Sequence, residues 1–140
     1  MSRGGRCIIR NIGRAERRVL VVEDEPAIGV MCRRALAKVG LEVDVAINSE
    51  VAQDMIGKEQ YDLLLIDIRT PVMNGTQLYL WLQKNYPRLA QRVIFTTGSV
   101  MDEDTMAFIR EAGRPYLPKP FNPKELTEVV QSTLKQIEKG

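Results

Sequence analysis

A chain of 140 residues has the size of one domain, and its 44% hydrophobic content supplies one core with little left for a second. The formal charge of +2 is unevenly placed: residues 1–18 carry six Arg against Glu16, a local +5, while the remaining 14 basic and 17 acidic residues give −3. Two distant cysteines (Cys7 and Cys32), no CxxC spacing and no histidine argue against a zinc site and a disulfide framework, and apolar runs of about six residues fall far short of the ~20 that span a bilayer. No apolar stretch of signal-peptide length follows the Arg-rich start, so a soluble protein in a reducing, cytoplasmic setting without membrane insertion is expected.

Residues 1–17 show no sustained periodicity and read as a flexible basic arm, although Cys7-Ile8-Ile9 could pair briefly as a strand edge; residues 18–140 read as the folded domain. Val19-Leu20-Val21-Val22 is a buried-strand run ending in Glu23-Asp24-Glu25. Pro26 suits the first turn of a helix, where its missing N–H is harmless. Ile28, Met31, Ala35 and Val39 follow at helical spacing, with Gly40 as the stop. Leu41 to Ala46 predicts a second strand. Asn48 or Ser49 can cap a helix carrying Val51, Ala52, Met55 and Ile56, stopped by Gly57.

Leu63-Leu64-Leu65-Ile66 is too short for a helix and too continuous for a half-exposed strand, which fits a central parallel strand covered on both faces. It ends on Asp67, and Asn74-Gly75 leads into a helix with Leu78, Trp81, Leu82 and Asn85, closed before Pro87. Arg92 to Thr97 predicts a fourth strand, turned by Gly98-Ser99, and 102–112 a helix with Met106, Phe108 and Ile109 apolar, ended by Gly113. Tyr116-Leu117-Pro118 reads as a short edge strand because of its proline. Asn122-Pro123 starts a last helix with Leu126, Val129, Val130, Leu134 and Ile137 as its apolar stripe. Five strands alternating with five helices predict an α/β fold, a doubly wound parallel sheet with helices on both faces.

In such a sheet the carboxyl ends of the strands share one edge, where ligands bind. The first strand delivers Glu23 and Asp24 there, the third Asp67, the fourth Thr97 and the fifth Lys119. Three carboxylates in one crevice repel each other unless a cation sits among them, and hard oxygen ligands with open positions suit Mg²⁺, with Mn²⁺ as the alternative ion. Acids, a divalent cation, a lysine and a hydroxyl describe a phosphoryl-transfer site, with Asp67 as the nucleophile. Taken singly, each has a plainer explanation. Glu23 and Asp24 can serve a helix dipole, Asp67 can cap a loop, and Thr97 can fill a strand. What sets these explanations aside is their coincidence at four strand ends.

Here the chain resembles the receiver domains of two-component response regulators. The resemblance runs from about Arg18 to Ile137 and rests on Val-Val-Glu23-Asp24-Glu25, Leu-Ile-Asp67-Ile-Arg-Thr-Pro71-Val-Met-Asn-Gly75, Phe-Thr-Thr97-Gly98 and Lys119-Pro120-Phe121, in order and at these spacings. It implies a flavodoxin-like sheet of strand order 2-1-3-4-5. It further implies that Asp67 accepts a phosphoryl group from a phosphohistidine on a histidine kinase or histidine phosphotransfer protein. Asp24 would then ligate Mg²⁺ directly, Glu23 would act mostly through water, and the backbone carbonyl of Arg69 would complete the protein ligands. Thr97 would hydrogen-bond the phosphoryl group, Tyr116 would be the aromatic that swings inward, and Lys119-Pro120 would be a cis peptide. Thr70 stands where many members have Met, and Glu23 where Asp is commoner; neither change removes a phosphorylation group.

Two rival chemistries fail on single residues. A phosphatase of the haloacid dehalogenase type needs a second acid two residues after the nucleophile, where this chain has Arg69. A flavin module of flavodoxin type needs a Gly- and hydroxyl-rich loop after the first strand, where Glu23-Asp24-Glu25 would repel phosphate. A phosphorylation-independent interaction module would usually lack the Asp or the Lys, and both are present. With no output domain after Gly140 and only a short arm before the domain, the expectation is a single-domain regulator that docks its 102–137 face on a partner, or a receiver detached from a larger protein. The segment Arg110 to Phe121 is similar to C-terminal receivers of hybrid sensor kinases. The arm's charge is read as a solvated linker, and nucleic acid is not expected as a partner.

Overall fold

The computed structural model describes residues 17–69, 74–98 and 102–139. The expected arm apart from Arg17, with its Cys7-Ile8-Ile9 edge, lies outside those residues, as do Thr70, Pro71 and Ser99. The elements run β1 (Arg18–Val22), α1 (Pro26–Ala37), β2 (Glu42–Ala46), α2 (Ser49–Lys58), β3 (Leu63–Asp67), α3 (Gly75–Asn85), α4 (Pro87–Ala90), β4 (Val93–Thr97), α5 (Glu103–Ala112), β5 (Tyr116–Pro118) and α6 (Pro123–Lys139). All strand pairs are parallel and the sheet order is β2-β1-β3-β4-β5, as the resemblance implies. The five expected helices are present, and the four-residue α4 adds one further turn after Pro87.

The apolar run of β3 is buried along its whole length because its alternate side chains feed two separate cores. Leu64 and Ile66 join Leu20, Val22, Val93 and Phe95 beneath α2, α3 and α5, through Ala52, Ile56, Leu78, Leu82 and Ile109. Leu63 and Leu65 join Val19, Val21 and Ile94 on the other face, against Cys32 and Leu36 of α1 and Leu126 and Val130 of α6. Phe95 anchors the first core by meeting Tyr79 at 5.4 Å and Phe108 at 5.7 Å between ring centroids, both edge-on. Each such fully buried side chain contributes about 1.5–3 kcal/mol, so β3 is pinned from both sides and its last residue is held with it.

Helix ends follow local chemistry. Asn48 accepts from the Val51 amide, Asp102 from that of Thr105, and Asn74 forms a capping box with Gln77. Gly40 at φ 88° and Gly113 at φ 67° turn the chain after α1 and α5 in the left-handed region that side chains disfavour. Four expectations need correction. Helix α1 stops at Ala37, so Val39 falls beyond it and is exposed, while Cys32 and Leu36 fill the inward face. Helix α2 runs one residue past Gly57, with nothing near that glycine to force a stop. Leu41 and Arg92 precede rather than start their strands.

Candidate phosphoryl-transfer site

The strand order reverses between β1 and β3, and the register places Val22 beside Ile66, Asp67 beside Thr96, and Thr97 beside Pro118. The residues at or just past these ends therefore meet. One oxygen each of Glu23, Asp24 and Asp67 lie within 4.8 Å of one another, a grouping able to hold a metal ion. Glu23 and Asp67 are buried and Asp24 is exposed, so the cluster opens to solvent on the Asp24 side.

Lys119 reaches in from beyond β5. Its ammonium donates to Asp67 Oδ2 at 2.9 Å, lies 3.0 Å from Glu23 Oε1, and stands 3.8 Å from Glu25 Oε1. Its backbone N–H donates to the Thr97 carbonyl at 2.8 Å, which fixes the β5 end against the β4 end. The Lys119-Pro120 peptide is cis. The other Asp67 oxygen, Oδ1, accepts from the Arg69 amide at 3.0 Å, so both oxygens of this carboxylate are oriented.

Burial holds the Glu23 carboxyl above its usual range, and the bonds from Lys119 and the Glu25 amide only partly offset that push. Burial alone would lower the Lys119 ammonium, but its bonds to Asp67 and Glu23 outweigh this and raise it. Three carboxylates against one ammonium leave a formal −2, the charge that one divalent cation cancels. The donor set, all oxygen with a solvent-open flank, fits Mg²⁺.

Thr97 is fully buried at the end of β4, and Tyr116 is 40% exposed on the edge strand, its ring turned out rather than packed in the core. So the structure gathers Glu23, Asp24, Asp67 and Lys119 into one cluster, places Thr97 at its margin, and leaves Tyr116 outside. Two participants were not assigned from sequence. Glu25 joins the charge field of Lys119 and donates its amide to Glu23 at 3.1 Å; the run of three acids was the available signal. Gly75 packs on the backbone of the β3 end, where a Cβ would meet Ile68 Cα at 2.6 Å and the Asp67 carbonyl oxygen at 2.9 Å. Its amide donates to the Ile68 carbonyl at 2.8 Å.

Residues 19–131 match the family model described as the response regulator receiver domain. The chain belongs to this family. A receiver domain of a crystallised CheY-like protein from Methanospirillum hungatei JF-1 superposes with a TM-score of 0.81 at 32% identity, covering 89% of this chain and 98% of that one. Among curated proteins, the aerobic respiration control sensor protein ArcB of Escherichia coli is 32% identical over 114 residues, 81% of this chain and 14% of ArcB. The DNA-binding transcriptional regulator NtrC of Escherichia coli is 32% identical over 116 residues, 83% of this chain and 24% of NtrC. A probable transcriptional regulator, ycf29 of Porphyra purpurea, is 28% identical over 116 residues, 83% of this chain and 56% of ycf29. This receiver domain thus spans only part of these relatives, which include a sensor protein as well as regulators. It is a signalling domain of two-component phosphorelay systems, not an enzyme of the ordinary kind, and the interaction-module alternative is not favoured. No helix among the described residues is long and apolar enough to cross a membrane.

Proposed function

We propose that Asp67 is the phosphoacceptor of this receiver, taking its phosphoryl group from a phosphohistidine on a histidine kinase or histidine phosphotransfer protein in the cytoplasm. The observation that carries the reading is the four-residue cluster itself: a buried, doubly oriented Asp67 with Lys119 on one oxygen and two further acids beside it. An Asp67 oxygen attacks phosphorus, a P–O bond forms, and the P–N bond breaks with its electron pair leaving on the imidazole nitrogen. Lys119 neutralises charge gathering on the phosphoryl oxygens and needs no reorganisation, because it already points at Asp67. Glu23, Asp24, Asp67 and the backbone carbonyl of Arg69 would hold Mg²⁺, which when bound offsets negative charge on the acids and the incoming phosphoryl oxygens. The 102–137 face, built from α5, β5 and α6, is the surface that answers.

The output follows from charge and space. A phosphoryl group on Asp67 adds roughly −1.5 to −2 charge and three strong acceptors. The Thr97 hydroxyl turns to it, and Tyr116 rotates inward from its exposed position toward the space so opened. A gap of a few kcal/mol between the two conformations is enough for the switch to work.

The acceptor role is tested with a labelled phosphohistidine protein, from which wild type gains label and Asp67→Asn gains none; label on the Asn variant refutes the assignment. The switch is tested by NMR with beryllofluoride and Mg²⁺. Wild type is expected to shift at Thr97, Tyr116 and residues 102–112. Thr97→Ala should bind the mimic and lose most of the distant shifts, and unchanged remote shifts would refute the Thr97–Tyr116 coupling.

A further inference from the structure

The opposite end of the sheet carries charge of the other sign. Arg88 on α4, Arg92 just before β4 and Arg114 just before β5 line one cavity of about 360 Å³, joined by Gln91, Gln136 and Thr133. It lies at the far end of β4 from Thr97, roughly 13 Å along the strand.

These arginines lack the partners that neighbouring arginines have. At the same pole Arg17 pairs with Glu138, and Arg18 with Glu42 at 2.7 Å and Glu59 at 2.9 Å. Among the described residues no carboxylate lies within ion-pair distance of Arg88, Arg92 or Arg114. Arg114 is half-buried, and its Nε donates to the Val93 carbonyl at 3.0 Å, which sets the plane of the guanidinium. Its Nη groups donate to no described residue. Burial pulls the Arg114 guanidinium below its ordinary range, as expected of a cation withdrawn from water without an anion. A fixed, partly desolvated fork with free donors is the half of a bidentate contact that a protein provides.

Three guanidiniums ask for a polyvalent anion. One carboxylate would answer a single fork and leave two, whereas adjoining phosphate groups present several oxygens to all three. The exposed amides of Gln91 and Gln136 add neutral donors. Arg88 and Arg92 also form the wall of a neighbouring cavity of about 540 Å³ that contains Tyr61, Tyr86 and Leu89. A flat ring could rest there while its phosphates stay among the arginines. We propose that the Arg88–Arg92–Arg114 cavity binds a small phosphate-bearing polyanion of the pyrophosphate or nucleoside diphosphate class, independently of Asp67.

The test is an NMR-monitored titration of the full chain without Mg²⁺, at constant ionic strength, with phosphate, pyrophosphate, ADP and citrate. Pyrophosphate should saturate, with shifts centred on Arg92, Arg114 and Thr133, and should bind roughly tenfold more tightly than phosphate or citrate. Arg92→Gln/Arg114→Gln should weaken it roughly tenfold or more, with Asp67→Asn and Arg34→Gln unchanged. If the double variant does not fold, the exposed single change Arg88→Gln should still weaken binding several-fold. ADP tighter than pyrophosphate would assign the aromatic cavity to a nucleoside, and equal affinity would assign the phosphates alone. Absence of saturation, citrate binding as tightly as pyrophosphate, or full affinity in the arginine variants would overturn the proposal.

Discussion

The Lys119 ammonium lies 2.9 Å from Asp67 Oδ2, bringing together residues from beyond the edge strand and from the end of the central one. The same ammonium serves Glu23 at 3.0 Å, so a single cation stabilises two buried acids. Removing it and removing one acid should therefore have opposite effects. Lys119→Met takes the ammonium away from two buried carboxylates, leaving them only their other bonds, and is expected to cost about 3 kcal/mol at neutral pH without divalent ions. Asp67→Asn keeps the shape, leaves Lys119 paired with Glu23 and lowers the local charge, so stability should be equal or higher. Urea denaturation of both variants checks this, and a strongly destabilised Asp67→Asn would mean that Asp67 serves chiefly to hold the loop.

The residual −2 of the cluster predicts that Mg²⁺ stabilises the fold. At about ten times its Kd, an ion that binds only the folded state adds roughly 1.4 kcal/mol, or about 5 °C in Tm. Asp24→Ala should lose most of that shift. Thermal melts with and without Mg²⁺ decide it, and an equal shift in the variant would place the ion elsewhere.

Gly75→Ala should destabilise the protein by about 1–3 kcal/mol, because the new methyl meets backbone at Ile68 and Asp67 rather than a side chain that can swing away. The same clash moves Asp67, so Mg²⁺ affinity should fall as well. Gly57→Ala has open space around it and should be neutral or mildly stabilising. Denaturation midpoints of the two variants, measured side by side, make the comparison.

Alkaline pH should weaken the fold through groups far apart in the structure. Burial, with the nearby Glu23 charge adding, pushes the Cys32 thiol up to about 12. The Tyr61 phenol, buried and donating to Asp44 at 2.7 Å, is also raised. Folded values above unfolded ones mean that the contribution is complete below the unfolded pKa and is lost as pH climbs through the folded one. Stability should therefore fall from roughly pH 9 through Cys32 and from roughly pH 10 through Tyr61, by about 1.4 kcal/mol per pH unit for each group. Cys32→Ala should show a shallower decline than wild type between those limits, whatever its starting stability; parallel curves would contradict this.

Much of this was legible because burial on both faces leaves a plain mark. The run Leu63 to Ile66 has no polar residue, which fits a covered strand, and the carboxylate directly after it falls at the strand's end. The ends of β1, β3 and β5 carry Glu23 and Asp24, Asp67, and Lys119, so their clustering follows from the parallel strand order alone. Val39 continues the periodicity of α1 although the helix stops at Ala37, before Gly40 turns the chain; periodicity does not register a helix end. Tyr79 was passed over for Trp81, yet Tyr79 is the ring that meets Phe95 and Phe108. The close approach of Gly75 to Asp67 depends on distances across a turn, and no spacing rule encodes them.

The central claim is that Asp67 itself becomes phosphorylated. Incubation with acetyl phosphate and Mg²⁺, followed by intact-protein and peptide mass spectrometry, measures this directly. The account predicts one added phosphoryl group, carried by the peptide containing Asp67, dependent on Mg²⁺ and absent in Asp67→Asn. An unmodified wild-type protein, or a phosphoryl group that persists in Asp67→Asn, would contradict it.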